Sequence, residues 1–327
     1  RAIAATLADH ARCKAFYVAY PEEGVALRQS LGPRAAEIFV FNGPAVDDLD
    51  LFKSSALTPV INSIHQARLW ADACPQADAA LHVDTGLNRL GLPADEISAL
   101  PRLRLSSIIS HLACASDPGN ALNLDQRRRF EEAAARFPNV RRSLAASAGA
   151  LIGTAFGFDQ VRIGVGLFGA SPFDDGSGGL LPAARLTAPV VQVKTVAAGQ
   201  SIGYGATFTA AADTIVATVA LGYGDGYPRS ASGRGAAILN GRLAPILGRV
   251  SMDLIVLCAA PGGVAIGDRA EFFGGALPIE TAAAAAGLIP YELLTAIGGL
   301  SRPAQGVGAR VRRRYLWNGA PVDVGGG

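Results

Sequence analysis

Short apolar runs of strand character recur along the first half of the chain with a helical pattern in each gap, and this alternation restricts the fold more than any other feature. The runs lie at Ala15 to Ala19, Glu37 to Gly43, Pro59 to Asn62, Leu81 to Val83, Leu105 to His111, Ser143 to Ala146 and Gln160 to Leu167. Pro21-Glu22-Glu23 opens one helix with residues suited to a first turn, and the clearest helical pattern runs from Leu124 to Phe137. Strands and helices alternating at about 25 to 30 residues give βαβ units on a parallel sheet. Roughly seven strands fall one short of a closed (β/α)8 TIM-type barrel. The deficit lies at the start, where residues 2 to 11 read as a helix with no strand before it. An open seven-stranded sheet is the alternative; polar residues converging on the strand ends favour the α/β barrel lacking its first strand.

After Gly176-Ser177-Gly178-Gly179 the texture changes to short β runs punctuated by turns: Pro189 to Val196, Thr214 to Leu221, Ala236 to Leu239, Ala244 to Val250 and Leu254 to Ala259. Asn240-Gly241 marks a hairpin. The expected division is therefore a barrel domain over 1–177 and a mostly antiparallel β-rich domain over 178–327. An alanine-rich scaffold helix at Ile279 to Ala286 interrupts the second, and a loose tail from Asn318 ends it. A chain of 327 residues, 50% of them hydrophobic, has enough material for two cores. A net charge of +2 without a concentrated basic stripe argues against nucleic acid as a partner, and no apolar run approaches the roughly 20 residues a membrane helix needs. The four cysteines lie far apart, which implies neither a metal site nor a disulfide framework and fits free thiols in a reducing cytoplasm. The first residues lack the pattern of a secretory leader, so a cytoplasmic location is expected.

Candidate chemistry sits where the strands end. Arg89 follows a strand that breaks at Asp84-Thr85-Gly86, and Gly91 closes its loop; in a parallel α/β protein such a loop faces the ligand. His111 ends another strand. Ser147 stands at a strand-to-helix junction, which offers backbone N–H groups and a dipole to an anion. Arg162 lies among apolar neighbours, where an unpaired charge is costly.

The string from His82 to Gly91 resembles the (H)xDTGMNRLG signature of the alanine racemases, type III fold enzymes that use pyridoxal 5'-phosphate (PLP), with Leu87 in place of methionine. The likeness runs, with interruptions, from about residue 12 to about residue 315. Ala145 to Gly149 is similar to the phosphate-binding ANSAG, with Ala146 for asparagine and Ser147 kept. Val161 to Gly169 resembles VRPGIALYG: this implies that Arg162 donates to the pyridine nitrogen and that Gly164 and Val165 bring backbone amides to the phosphate. Ser110-His111-Leu112-Ala113 matches a motif whose histidine hydrogen-bonds a catalytic tyrosine. That tyrosine would be Tyr204, in a match to YGATxTA, reaching the partner subunit's site as one of two acid–base groups, tuned through His111 and Arg162. Tyr223, in a match to GYADGYPR, would line the substrate entrance. Met252, in Gly248-Arg249-Val250-Ser251-Met252-Asp253, would hold the alanine carboxylate together with Arg89, and Tyr291 the cofactor phosphate.

The resemblance thus implies a homodimer with shared sites, interconverting L- and D-alanine for peptidoglycan synthesis. Within the same fold a broad-specificity amino-acid racemase or a decarboxylase is the nearest rival, and a non-catalytic PLP-binding protein is the rival from another class. The family also carries a Schiff-base lysine in a VKAxAYGxG motif on the first barrel strand. None of Lys14, Lys53 and Lys194 has that context. The expectation is that about 30 residues bearing this strand are absent, by barrel proportions, and that residues 1–327 alone are inactive.

Overall fold

The computed structural model describes residues 2–298, 312–317 and 320–322, and the chain divides into two compact units, Arg1–Gly164 and Val165–Gly327. The first unit is built on a parallel sheet. Its strands are β1 (Ala15–Val18), β2 (Glu37–Val40), β3 (Thr58–Ile61), β4 (Asp78–Asp84), β5 (Leu92–Pro93), β6 (Arg104–Ile109) and β7 (Arg141–Ser143). They lie in the order β1-β2-β3-β4-β6-β7, with β5 beside β4. Helices Pro21–Leu31, Ile64–Ala73 and Ala121–Ala134 provide crossovers, and each begins on a local signal. Glu23 Oε2 accepts from Tyr20 N at 3.0 Å, Ser63 Oγ from Gln66 N at 3.2 Å and Asn120 Oδ1 from Leu122 N at 3.1 Å.

Both faces of this sheet are covered, which is why its strands read as nearly unbroken apolar runs. Ile38, Val40, Ile61, Leu81 and Ile108 pack with Leu31, Trp70 and Phe130 of the helices. Phe39, Val60, Ala80 and Ile109 form a second cluster with Tyr17 and Phe41 on the other face. Side chains alternate along a strand, so two residues beyond Val60, Ala80 and Ile109 that second face continues with Asn62, His82 and His111.

One expected strand is absent as such. Over residues 160–167 there is only a single parallel bridge, Arg162 with Ala146, followed by a 3-10 turn at Val165–Phe168. Gly164 and Gly166 lower strand propensity there, and Arg162 is anchored by Arg162 N donating to Ala145 O at 2.9 Å.

In the second unit the 13-residue strand β8 (Ala184–Val196) is the spine. It pairs antiparallel with β11 (Thr214–Val219), β15 (Arg269–Phe273) and β16 (Arg312–Trp317). The order is β13-β12-β15-β8-β11-β14, where β12 is Ala236–Leu239, β13 Arg242–Pro245 and β14 Ile255–Cys258. β9 (Ser201–Ile202) and β10 (Phe208–Thr209) form a separate ribbon, and β17 (Ala320–Val322) pairs with β16. The β12–β13 turn carries positive φ at Asn240 and Gly241, as its sequence requires. The run expected from Ala244 to Val250 pairs as a strand only to Pro245, and β15 was not legible as a strand. The alanine-rich helix Ile279–Ala285 buries Ala282 and Ala283 in the unit's core. Of the tail expected to be loose, Ala320–Val322 forms β17; the rest lies outside the described residues.

Candidate active site

Arg162 is the most deeply set charge of the first unit, 8% exposed. Its guanidinium donates to Ser143 O at 2.8 Å, Ser143 Oγ at 2.6 Å and Leu144 O at 3.0 Å, and also to Ser110 O. Among the described residues it makes no ion pair, so its charge is met by carbonyl and hydroxyl dipoles. Burial lowers its pKa to about 10, opposed by Tyr17, and the group stays charged at neutral pH. Its Nε is buried and has no acceptor. Such an orphaned donor is rare in folded proteins and costs free energy unless something outside the chain meets it.

His111 stands beside this cation, with Nδ1 3.5 Å from the guanidinium. Burial first, then the charges of Arg162 and Arg89, lowers its pKa to about 4, so the imidazole is neutral at physiological pH. His82 is lowered to about 4 for the same reasons. Its Nδ1 lies 2.8 Å from Asn62 Oδ1, and the Asn62 amide donates to Phe41 O and Val60 O at 2.9 Å each. Asn62 Oδ1 is therefore the acceptor, and the proton of neutral His82 sits on Nδ1.

The loop after β4 is fixed by one carboxylate. Asp84 Oδ1 accepts from Gly86 N at 2.9 Å, Leu87 N at 3.0 Å and Asn88 N at 3.2 Å, and Asn88 takes a φ of 55°. Gly91, at φ 117°, passes so close to β4 that a Cβ there would lie 2.9 Å from Asp84 N. Arg89 is thereby held out on an exposed loop whose charge reaches both histidines. At the other side of the cluster, Ser147 starts the helix Ser147–Ile152, and its Oγ accepts from Gly164 N at 3.0 Å. A Cβ on Gly164 would meet no atom within 4 Å. Arg89, His111, Ser147, Arg162 and Gly164 thus belong to one set of strand ends.

The remaining sequence candidates lie on the second unit. Tyr204 is 72% exposed in a 3-10 turn whose Gly205 adopts φ 73° beside Arg249. Tyr223 and Met252 share a loop pair, with Tyr223 N donating to Ser251 O at 3.1 Å and Gly224 N to Met252 O at 2.8 Å. Gly226 lets that loop pass against Ala296 in the helix Pro290–Gly298, and exposed Tyr291 stands in this helix's first turn. Val165 is buried in the unit's core, 3% exposed.

Sequence reading missed Tyr17, whose ring stacks on Phe39 at 4.7 Å and lies 5.9 Å from the Arg162 guanidinium. It also missed Asn62, Thr85, Ser110 and Gln126. For Gln126 there was a signal: it falls four residues before Phe130 on the inward stripe of an amphipathic helix, where an amide is out of place unless it bonds. The three lysines are all exposed: in the first unit Lys14 precedes β1 and Lys53 lies in the helix Leu49–Ser54, and in the second Lys194 lies in β8.

Two family models match the chain: the alanine racemase N-terminal domain over residues 1–172 and the alanine racemase C-terminal domain over residues 183–303. An alanine racemase of Rhodospirillum rubrum is 40% identical over 319 residues, covering 93% of this chain and 82% of that protein. One of Dinoroseobacter shibae is 40% identical over 300 residues, covering 90% and 84%. The biosynthetic alanine racemase of Pseudomonas aeruginosa superposes with a TM-score of 0.81 at 32% identity, covering 91% of this chain and 86% of its own. The Bartonella henselae alanine racemase, solved with covalently bound pyridoxal phosphate, gives a TM-score of 0.81 at 31% identity, covering 87% and 83%. With both domain models matched along its length, the chain belongs to the alanine racemase family.

Proposed function

We propose that this chain interconverts L- and D-alanine with pyridoxal phosphate as cofactor, supplying D-alanine for peptidoglycan. The observation that carries the reading is the buried Arg162 Nε, a donor without an acceptor at the strand ends of an alanine racemase domain. A pyridine nitrogen is an acceptor that fits it. The open space at Gly164, beside Ser147, suits a phosphate approached by backbone amides. Tyr291 would add a hydroxyl to that phosphate, and Val165 a backbone amide.

When bound, pyridoxal phosphate supplies the electron sink for the pair left behind as the α-proton departs. The chain's own groups do the rest. Arg162 keeps its protons, so it can only donate to the ring nitrogen and leaves it unprotonated. This weakens the sink and favours simple proton exchange over side reactions. Arg89 and the Met252 amide bind the alanine carboxylate, and Tyr223 lines the entrance. Tyr204 takes or returns the α-proton on one face. Arg162 can only donate to Nδ1 of His111, so the proton of the neutral imidazole sits on Nε2, which can donate to the Tyr204 oxygen; burial and the Arg162 charge keep the ring from charging.

The partner is a second copy. Tyr204, Tyr223 and Met252 belong to one unit and Arg89, His111 and Arg162 to the other, and the homodimer would bring one chain's tyrosine loop to the other's strand ends. The opposite face needs a second base, a lysine in this family. Because Lys14 precedes β1, Lys53 sits on a helix and Lys194 on a strand of the second unit, none in the context of that lysine, residues 1–327 on their own should bind the cofactor weakly and not turn over alanine.

The test is exchange of the α-proton of alanine in D2O, assayed with a panel of amino acids. Residues 1–327 are compared with a chain that carries a lysine-bearing strand ahead of the helix Ala2–His10. Fast exchange confined to alanine in the longer chain supports the reading; equal rates across the panel make it a broad-specificity racemase. Cofactor binding without any exchange in the longer chain makes it a non-catalytic binding protein. Equal turnover by both chains would overturn the statement about lysine.

A further inference from the structure

Gln126 sits on the inward face of the helix Ala121–Ala134 with no exposed surface. Its Oε1 accepts from Ala113 N at 2.7 Å, and its Nε2 donates to His111 O at 3.0 Å and to Thr85 Oγ1 at 3.2 Å. The amide orientation is fixed by chemistry, because Ala113 N can only donate and His111 O can only accept. Thr85 Oγ1 is in turn 2.8 Å from Ser110 Oγ, and Ser110 O receives the Arg162 guanidinium.

These bonds begin where the sheet stops. The last registered pair between β4 and β6 is His82 with Ile109. Past that point the two chain segments diverge, one toward Arg89 and the other into His111 and Ala113. Backbone ladder bonds no longer set their spacing. A methylene-rich side chain at position 126 would fill the same volume, and an amide is desolvated there at a cost that only its partners offset. All those partners lie on the two strand ends and none on the helix itself.

We propose that Gln126 is a positioning residue of the alanine site, a clamp that sets the distance between the Arg89 loop and the His111 strand end. The proposal rests on the alanine-racemising reading above. Loosening the clamp frees the Arg89 loop, which meets the substrate carboxylate, while Arg162, Ser147 and Gly164, which would hold the cofactor, keep their own contacts. The consequence is a rise in KM for alanine out of proportion to any fall in kcat.

The experiment uses the holoenzyme of the lysine-bearing chain tested above with Gln126→Leu and Gln126→Glu, measuring KM and kcat for alanine, the cofactor absorbance maximum and Tm. For Gln126→Leu, KM is expected to rise about tenfold with kcat changed less than about threefold and the absorbance maximum unmoved, the ratio being that of a uniform-binding loss. Gln126→Glu keeps an acceptor for Ala113 N but presents a carboxylate to His111 O. Protonation restores the donor, so its KM relative to wild type should fall at least about fivefold from pH 9 to pH 6.5. If Gln126→Leu does not fold, this pH profile decides alone. A lowered Tm with KM and kcat both within twofold of wild type, or a flat relative pH profile, would overturn the clamp. Absence of alanine turnover in the wild-type holoenzyme would instead overturn the functional reading on which it rests.

Discussion

The Arg162 guanidinium lies 3.5 Å from Nδ1 of His111, so a fixed cation stands beside a group whose ordinary pKa is 6.5. Together with burial, it holds His111 neutral, and His82 feels the same cation. Both folded pKa values lie near 4, below the unfolded value of 6.5. On acidification the unfolded chain therefore binds protons first. Stability from the neutral histidines is complete above about pH 6.5 and is lost as pH falls toward 4, by about 3 kcal/mol for a single independent site. The two are not additive, since each also feels the other's surroundings. Urea unfolding at pH 7.5, 6 and 5 should show this acid limb in the wild type and a shallower one in His82→Asn.

Gly164→Ala separates fold from cofactor. The added methyl meets no protein atom within 4 Å, so the cofactor-free protein should keep its stability within about 0.5 kcal/mol, as for a change without steric conflict. If the backbone there lies against a phosphate, the methyl intrudes on it. Titration of pyridoxal phosphate should then show affinity weakened about tenfold or more, the equivalent of 1.4 kcal/mol. An unchanged titration would remove Gly164 from the phosphate site.

Asp84→Ala removes the single oxygen that receives three loop amides. Those amides can turn to water on an exposed loop, so the expected cost is modest, about 1 to 2 kcal/mol. The larger effect should fall on binding. With Arg89 no longer held, KM for alanine should rise several-fold while Tm drops only a few degrees, a comparison made by steady-state kinetics and calorimetry.

The composite site can be tested by mixing subunits. Tyr204→Phe and Arg89→Ala homodimers should each be nearly inactive for different reasons. Random heterodimers carry one site with both defects and one with neither, so co-refolding equal amounts should restore about a quarter of wild-type activity. No recovery, in a mixture verified to contain heterodimers, would mean that both residues serve the same chain's site.

The placement of Arg89, His111, Ser147 and Arg162 at strand ends was legible because it follows from short-range rules. Alternating runs of strand and helix dictate a parallel sheet, and a parallel sheet puts its ligand-facing residues at the carboxyl ends of strands. Asp84-Thr85-Gly86 and Gly91 announced a tight loop, and Arg162 announced a buried charge. Asn240-Gly241 likewise fixed a hairpin through φ alone.

What the run from Val161 to Leu167 would become was not written locally. An apolar stretch of that length suits a buried strand or a buried turn equally well. The choice fell to tertiary contacts: Arg162 is drawn to carbonyls of Ser110, Ser143 and Leu144 from two neighbouring strand ends, and Gly164 to Ser147. Gln126, Thr85, Ser110 and Asn62 were invisible for the same reason, since their partners lie 25 residues away for Thr85 and Ser110, 41 for Gln126 and Thr85, and 20 for Asn62 and His82. Periodicity reports which face of an element is turned inward. Only the assembled sheet decides which polar groups meet there, because a buried hydrogen bond depends on atoms placed within a few tenths of an ångström by elements distant in the chain.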